Sequence, residues 1–206
     1  MIKGMEFAEN ASVRVGIIFS KLPISPNMWT ILSLIPALLG LFALRAGSMF
    51  GGFVFFACAG LIDVIDGAVA RVTGRATALG AFLDGVVDRV VEAMLLLGLL
   101  LYGLPDAGEV VYINPTTTIF SVLFFGTCMT SFVKAYAHHR GAIGDAEVKK
   151  MGGILERPER LFLLLVSLIA GIFSPLWTMY VLLATALLSA LTVLERMFFV
   201  LKRQNS

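Results

Sequence analysis

Charged residues, histidine and cysteine are all scarce in this chain. Of its 206 residues, 15% are Asp, Glu, Lys or Arg, and there are two histidines and two cysteines. Because a water-soluble domain carries about 25% charged residues, this composition excludes an ordinary soluble enzyme. Cys58 and Cys128 lie in apolar runs, which predicts core packing rather than a disulfide or a metal site. A net charge of only +2 gives no reason to expect a nucleic-acid partner.

Apolar residues, in contrast, dominate the sequence. They make up 58% of the chain, and the mean hydropathy is +0.91. A domain of this size cannot bury so much apolar surface, so part of it must face lipid, and each bilayer crossing needs about 20 apolar residues. Six runs predict transmembrane helices, at about residues 28–44, 49–72, 79–104, 116–136, 161–173 and 177–201. The fifth run is short, and we expect its helix to begin near Pro158, since proline is tolerated in a first helical turn.

The first 22 residues differ from these runs. Charged residues interrupt the apolar ones, so the segment does not resemble a cleavable signal peptide. It predicts an amphipathic helix on the membrane surface, broken near Asn10 and ended by Pro23 and Pro26. The predicted fold is therefore a single all-α integral membrane domain, residues 1–206. In it, six transmembrane helices within 23–206 follow an interfacial amphipathic segment, 1–22.

The orientation in the membrane follows from where Lys and Arg fall between the runs. Cytoplasmic loops carry an excess of these residues. One side of the predicted bundle collects Lys3, Arg14, Lys21, Arg71, Arg75, Arg140, Lys149, Lys150, Arg157, Arg160, Lys202 and Arg203. The opposite side has Arg45 alone. Both termini are thus predicted to face the cytosol, in a multi-pass protein of the cell membrane.

Acidic residues interrupt two consecutive predicted spans. Asp63 and Asp66 lie three residues apart in the second span, so they share one helical face. Asp84 and Asp88 lie four residues apart in the third and do the same. A carboxylate inside a membrane is costly unless it is paired or bound to a cation, and such residues mark functional sites. A hairpin turning at residues 74–76 would bring the two pairs face to face.

Four carboxylates in one pocket of low dielectric repel one another, so they need either protons or cations. Two divalent cations would cancel four negative charges, and a donor set made only of oxygen favours Mg²⁺ or Mn²⁺ over Zn²⁺. A two-metal carboxylate site is typical of phosphoryl transfer. Arg71 marks the cytosolic edge, roughly 8 Å along the helix from Asp66, so the site is predicted to open toward the cytosol.

The spacing of these residues resembles a known family signature. The chain matches D-x-x-D-G-x-x-A-R-x8-G-x-x-x-D-x-x-x-D of the CDP-alcohol phosphotransferases at Asp63, Asp66, Gly67, Ala70, Arg71, Gly80, Asp84 and Asp88. The resemblance implies a six-helix membrane enzyme, usually a homodimer, in which an alcohol hydroxyl displaces CMP from a CDP-linked donor.

The same resemblance assigns roles to individual residues. It implies that Asp63 and Asp84 bridge two metal ions and that Asp66 binds the first ion. Asp88 would bind the second ion and act as the general base. The residues implied to contact the CDP-linked lipid are Asn27, Thr30, Gly67, Arg71, Thr77 and Gly80.

A second, narrower resemblance lies in the C-terminal half. Segments 131–135, 144–145 and 155–161, the last containing E-R-P-E-R, are similar to the branch that makes phosphatidylinositol phosphate in actinobacteria and archaetidylinositol phosphate in archaea. Its acceptor, inositol 1-phosphate, is an anion, so the site needs fixed cations. The residues expected to bind the acceptor phosphate are Lys134, Arg157, Arg160 and Arg196. The chain departs from bacterial members at Tyr136, where a second basic residue stands in them.

Other interpretations stay open on the sequence alone. A structural hairpin, with nearby arginines balancing the acids, would leave net negative charge in lipid. A transporter or channel would spread its acids over several helices and through the membrane depth, whereas these cluster on one hairpin. A phosphatidylglycerol-phosphate or other headgroup transferase would differ mainly in its acceptor pocket. Arg157 and Arg160 could serve only as cytosolic anchors, and Arg196 could pair with Glu195.

Overall fold

The computed structural model describes residues 12–106 and 114–204. All regular elements formed by these residues are helices, with no β-strand among them, which confirms the all-α prediction. The break expected near Asn10 lies outside the described residues. The chain packs as two units, residues 1–98 and 99–206, and each is described separately.

The described part of the first unit is formed by α1 (residues 12–19), α2 (Pro26–Leu32), α3 (Leu34–Arg45), α4 (Met49–Val72) and α5 (Ala78–Tyr102), which continues into the second unit. Pro26, predicted to end the N-terminal segment, starts the next helix instead, because a missing N–H does no harm in a first turn. The Ser25 hydroxyl caps this helix by accepting a hydrogen bond from the Met28 amide.

Small residues let α3, α4 and α5 approach one another closely. A Cβ placed on Gly40 would lie 2.8 Å from the ring of Phe56, and one on Gly98 would lie 2.7 Å from a methyl carbon of Leu44. Phe56 and Leu44 are almost fully buried. Within lipid, van der Waals packing of this kind drives helix association. The helices α4 and α5, which carry the acidic residues, are thereby both anchored on α3.

The described part of the second unit contains α6 (Pro115–Ser121), a π-helix (Val122–Met129), α7 (Thr130–His139), α8 (Asp145–Lys150), α9 (Arg157–Phe173) and α10 (Pro175–Gln204). Helix α10 packs against α6, the π-helix, α7 and α9. Its Thr178 hydroxyl donates to the Ser167 carbonyl of α9 at 3.0 Å. Helix α9 begins at Arg157 with Pro158 in its first turn, which confirms the start predicted for the fifth run.

Not all six predicted spans stand out as membrane-spanning helices. Four helical stretches of the described residues are long and apolar enough to cross a membrane: Pro26–Arg45, Met49–Val72, Pro115–His139 and Pro175–Arg203. Helix α5 has 25 residues but carries four charged side chains, and α9 has only 17 residues. The structure supports a multi-pass helical membrane protein.

Candidate active site

Two helices and the turn between them bring three carboxylates together. Asp63 and Asp66 lie one turn apart on α4, and Asp84 lies on α5. One carboxylate oxygen of each residue lies within 4.8 Å of those of the other two. Gly74 allows the tight reversal between the helices, because its φ of +64° is a conformation that glycine adopts at little cost. These three residues form what we call the carboxylate triad.

The burial and chemistry of the carboxylate triad bear on its fit to a metal ion. Asp66 is 5% exposed, and its Oδ2 is buried without a hydrogen-bond partner among the described residues. A buried polar atom left without a partner is costly unless something else binds it. The donors are carboxylate oxygens, with no His or Cys in the group, which suits a hard divalent cation such as Mg²⁺ or Mn²⁺. The residues present therefore fit such an ion.

The carboxylate triad lines a cavity of about 420 Å³. The same cavity is lined by all six residues that the family resemblance assigns to the CDP-linked lipid: Asn27, Thr30, Gly67, Arg71, Thr77 and Gly80. They come from α2, from α4 and from the start of α5 with the turn before it. An arginine in such a cavity can bind phosphate oxygens through two parallel hydrogen bonds. The cavity thus combines an acidic cation site with a fixed cation for an anionic ligand.

Two glycines leave room for polar side chains around this cavity. The Gly80 amide donates to Thr77 Oγ1 at 3.0 Å, and a Cβ on Gly80 would lie only 3.0 Å from Asn27 Oδ1. On α4 the Arg71 guanidinium lies over Gly67, where a Cβ would be 3.4 Å from Nη1. The lack of a side chain at Gly80 therefore has a steric reason, whereas a Cβ on Gly67 would make only an ordinary contact.

Asp88, predicted as a metal ligand and as the general base, is not part of the carboxylate triad. It lies one turn farther along α5 than Asp84, roughly 6 Å along the helix axis. Its side chain is buried, and its Oδ2 lies 3.6 Å from Nη1 of Arg89. That same Nη1 donates to the Gly85 carbonyl at 2.9 Å. Both roles of Asp88 stay predictions.

The second unit holds the residues predicted to bind an acceptor phosphate. Lys134 Nζ donates to the Met151 carbonyl at 3.2 Å. Arg196 donates from Nε to the Gly152 carbonyl at 3.0 Å and from Nη1 to the Thr130 carbonyl at 2.6 Å. Neutral carbonyls satisfy these donors but do not cancel their charge. The segment that begins at Met151 is thus held by two cations.

The surroundings of Arg196 and Arg160 bear on the alternatives left open by the sequence. Arg196 Nη2 lies 3.7 Å from Oε1 of Glu156, whereas Glu195 accepts a hydrogen bond from the Ile154 amide at 3.0 Å. Arg160 is 2% exposed. A residue that only anchored a loop at the membrane surface would be exposed, so Arg160 has a role inside the second unit. Arg157 is half-buried at the start of α9.

One residue that lines the cavity, and one that contacts a lining residue, escaped the sequence interpretation. Arg75 lines the cavity, although its sequence context indicated only membrane orientation; its closeness to Arg71 was the one available signal. Ser12 of α1 accepts a hydrogen bond from Arg71 Nη2 at 2.7 Å. No sequence signal could have found Ser12, because no spacing rule links residues 59 positions apart.

Comparison with known proteins places the chain in a family. The family model described as CDP-alcohol phosphatidyltransferase matches residues 23–198, a range that includes the cavity and all four basic residues above. The protein belongs to the CDP-alcohol phosphatidyltransferase family, as the signature residues indicated. It is accordingly a membrane-bound transferase of phospholipid synthesis.

Named relatives and solved structures extend this result. The chain is 31% identical over 159 residues to the archaetidylinositol phosphate synthase of Methanothermobacter thermautotrophicus, covering 77% of this chain and 73% of the relative. It is 32% identical over 184 residues to the phosphatidylinositol phosphate synthase of Mycolicibacterium smegmatis, covering 84% and 76%.

Two structures of one enzyme are similar over most of the chain. The crystal structure of Mycobacterium tuberculosis phosphatidylinositol phosphate synthase with CDP-DAG bound has a TM-score of 0.75 and 27% identity, over 92% of both chains. The same enzyme in complex with manganese and citrate has a TM-score of 0.73 and 26% identity, over 92% of this chain and 88% of the other.

Proposed function

We propose that this protein transfers the phosphatidyl-type group of a CDP-linked lipid to inositol 1-phosphate, giving a lipid-linked inositol phosphate and CMP. The main observation behind this proposal is that the carboxylate triad lines the same cavity as Arg71 and the other residues that the family resemblance assigns to the CDP group. The relatives named as phosphatidylinositol and archaetidylinositol phosphate synthases support the choice of acceptor. The donor is CDP-diacylglycerol or CDP-archaeol.

Residues of the first unit bind the donor in this proposal. Arg71 binds the pyrophosphate oxygens, and Gly67 leaves room for them. Asn27, Thr30, Thr77 and Gly80 surround the rest of the CDP group. The acids that would hold two Mg²⁺ or Mn²⁺ ions are Asp63, Asp66, Asp84 and Asp88. When bound, such ions offset the negative charge that develops during displacement at phosphorus.

Asp88 is the proposed general base. Its carboxylate takes the proton from a hydroxyl group of inositol 1-phosphate, and the hydroxyl oxygen attacks the phosphorus on the lipid side of the pyrophosphate. A new phosphorus–oxygen bond forms while the bond to CMP breaks, and CMP leaves with the electron pair. Positioning of the two substrates by the chain supplies a large part of the rate, and the base adds to it.

The acceptor phosphate is proposed to bind Lys134, Arg157, Arg160 and Arg196. The contacts of the second unit support this role, because Lys134 and Arg196 donate hydrogen bonds to neutral carbonyls, which leave their positive charge uncancelled. The ion pair between Arg196 and Glu156 is long at 3.7 Å. A phosphate monoester brings more negative charge than a carbonyl and binds such cations more strongly.

We infer further that α5 and α9 also cross the membrane, which gives the six spans. The acids of α5 are tolerated there when cations neutralise them, and 17 residues are near the minimum for a crossing. Helix α1 exposes Ile17 and Ile18, 48% and 61%, which supports an interfacial position. Both termini and the active site are proposed to face the cytosol, and family resemblance supports a homodimer.

The release of CMP by the purified protein tests this function. The assay contains Mn²⁺ or Mg²⁺ and a CDP-linked lipid, and it compares inositol 1-phosphate with glycerol 3-phosphate, free inositol and serine. We expect release with inositol 1-phosphate alone. Release with glycerol 3-phosphate instead would assign the protein to the phosphatidylglycerol-phosphate class, and no release with any acceptor would favour transport.

The role of Asp88 is tested in the same assay by Asp88→Asn. We expect turnover to be lost while binding of the CDP-linked lipid is largely kept, because the amide occupies the same space but takes no proton. Asp106→Asn, a change at an exposed carboxylate that follows α5, is the matched control and should behave as the wild type. Near-normal turnover of Asp88→Asn would overturn the assignment of the base.

A further inference from the structure

Helix α1 packs directly on the α4 helix that carries the signature residues. A Cβ placed on Gly16 would lie 2.6 Å from the Ala68 carbonyl oxygen and 2.6 Å from a methyl carbon of Val72. Because one of these atoms belongs to the α4 backbone, it cannot move aside as a side-chain end would. The approach of α1 to α4 therefore requires a residue without a side chain at position 16.

One face of α1 makes all of these contacts. Ser12, Gly16 and Phe19 follow the i, i+4, i+7 pattern of a single helical face. Phe19 meets the ring of Trp29 edge to face, with centroids 5.6 Å apart. The other side of the helix exposes apolar residues such as Ile17 and Ile18. The described part of α1 is thus fixed on the first unit at residues 12, 16 and 19.

The contact of Ser12 involves a residue of the active-site cavity. Arg71 Nη2 donates to the Ser12 hydroxyl at 2.7 Å, while Nη1 lies over Gly67. Arg71 is an exposed side chain that lines the cavity. A long exposed arginine samples many rotamers, so its hydrogen bond to a hydroxyl of the neighbouring helix restricts the guanidinium.

We propose that α1 is a positioning element for the donor: Ser12 orients Arg71 toward the pyrophosphate, and Gly16 sets the distance of α1 from α4. Ser12 acts through Arg71 and is a positioning residue rather than a catalytic one. The inference rests on the proposed function, in which Arg71 binds the pyrophosphate of the CDP-linked lipid. It makes donor affinity depend on a segment that precedes the signature by 51 positions, from Ser12 to Asp63.

The substitution Ser12→Ala tests the hydrogen bond. We expect the Kd and the KM for the CDP-linked lipid to rise about three- to tenfold, with kcat and the acceptor KM changed less than about twofold. Ser12→Thr keeps the hydroxyl and should restore donor binding. Ser20→Ala is the matched control, because the Ser20 hydroxyl, one residue past α1, donates to the nearby Ile17 carbonyl, and the variant should equal the wild type.

A double-mutant cycle separates action through Arg71 from a general effect on structure. On an Arg71→Ala background, Ser12→Ala should raise the donor Kd little further, because the contact is already lost. Full additivity of the two substitutions would overturn the proposal. An equal rise in donor and acceptor KM for Ser12→Ala alone would overturn it as well.

Trp29 fluorescence reports on the docking of α1 without any turnover. The chain has two tryptophans, so Trp177→Phe leaves Trp29 as the single emitter. On that background Gly16→Ala should shift the emission, since it separates Phe19 from Trp29, and should weaken donor binding at least as much as Ser12→Ala. A shift in emission with wild-type donor binding would overturn the role of α1.

The same binding measurement distinguishes a failure of the proposed function from a failure of the positioning role of α1. If the wild-type protein with Mn²⁺ binds no CDP-linked lipid, the proposed function is overturned and this inference with it. If the wild type binds the lipid and Ser12→Ala binds it equally well, the function stands and only the positioning role of α1 is overturned.

Discussion

Asp66 is the most buried carboxylate of the triad, and one of its oxygens has no hydrogen-bond partner among the described residues. An acid that served an ion-paired structural hairpin would be expected to have both oxygens satisfied, because burial without a partner is costly. The unsatisfied oxygen, next to two further carboxylates, therefore distinguishes a cation site from a hairpin held by arginines.

The first prediction concerns the substitution Asp66→Asn. Without metal, the variant should unfold at a higher temperature than the wild type, because one of three mutually repelling charges is removed. With Mn²⁺ the order of the unfolding temperatures should reverse, since a ligand that binds the folded state stabilises it. The variant loses a direct ligand of the metal, so its metal affinity should fall by more than the roughly tenfold that changes behind the ligands typically cause.

Thermal unfolding in detergent, with EDTA and with Mn²⁺, measures both effects. Asp145→Asn, at an exposed carboxylate, is the control and should keep the response of the wild type. Full stabilisation of Asp66→Asn by Mn²⁺ would contradict the assignment of the triad as the metal site.

The second prediction concerns Arg157, which is half-buried at the start of α9. Arg157→Ala should raise the KM for inositol 1-phosphate about tenfold or more and leave the donor KM within about twofold, because a charged hydrogen bond to the acceptor phosphate is lost. Steady-state CMP release with each substrate varied in turn measures the split. Lys149→Ala removes an exposed cation of α8 and is the control; equal effects of Arg157→Ala on both KM values would refute the assignment.

At the scale of the element, the π-helix Val122–Met129 is the feature that the sequence interpretation did not foresee. Such segments are rare and occur frequently at functional sites. Its Gly126 faces the buried Arg160, and a Cβ there would lie 2.8 Å from Arg160 Cδ and 3.0 Å from Ser189 Oγ. The Gly126 carbonyl also accepts a hydrogen bond from the Thr130 hydroxyl. The π-helix thus makes the space in which Arg160 lies.

The third prediction follows from that contact. Gly126→Ala should destabilise the protein by about 1–3 kcal/mol, the usual cost of overpacking, because Arg160 is enclosed and cannot swing away. Thermal unfolding measures the loss. Gly152→Ala is the control, since a Cβ there would meet only Glu156 Oε1 at 3.6 Å, an ordinary contact. Unchanged stability of Gly126→Ala would show that Arg160 is not held by the π-helix.

At the scale of the whole molecule, the number of membrane crossings decides on which side the α5 to α6 connection lies. The four apolar stretches and the proposed six spans both return the C-terminus to the side of the N-terminus. They differ at the end of α5, which lies outside the cell only if this helix crosses. Whether α5 crosses depends on the charge of its acidic residues, because a membrane crossing requires that this charge be neutralised.

The fourth prediction tests this topology with reporters fused after Asp106 and after Ser206. With six spans, alkaline phosphatase should be active after Asp106, and green fluorescent protein should fluoresce after Ser206, because Lys and Arg mark the cytosolic side. Fluorescence of the green reporter after Asp106 would show that α5 does not cross. Fusion after Arg75, on the predicted cytosolic side, serves as the control.

Most of the site was accessible from the sequence, and the reason is local. Asp63 and Asp66 share a face because a helix repeats every few residues, so hydrophobic pattern and spacing sufficed to place them opposite Asp84. The start of α9 at Arg157 followed from one proline. The placement of Asp88 apart from the triad did not follow, because it depends on how two helices cross rather than on spacing along either one.

The sequence by itself determined that this protein is an all-helical membrane protein with a carboxylate site on consecutive helices, because hydropathy and spacing are properties of the chain alone. The transferase class was implied by the resemblance of the signature residues to a known family. Only the tertiary structure decided which groups accept hydrogen bonds from the long basic side chains. Arg71 reaches Ser12, and Lys134 and Arg196 hold carbonyls of the segment that begins at Met151. These contacts join distant parts of the sequence and depend on how the helices pack, which no local pattern encodes.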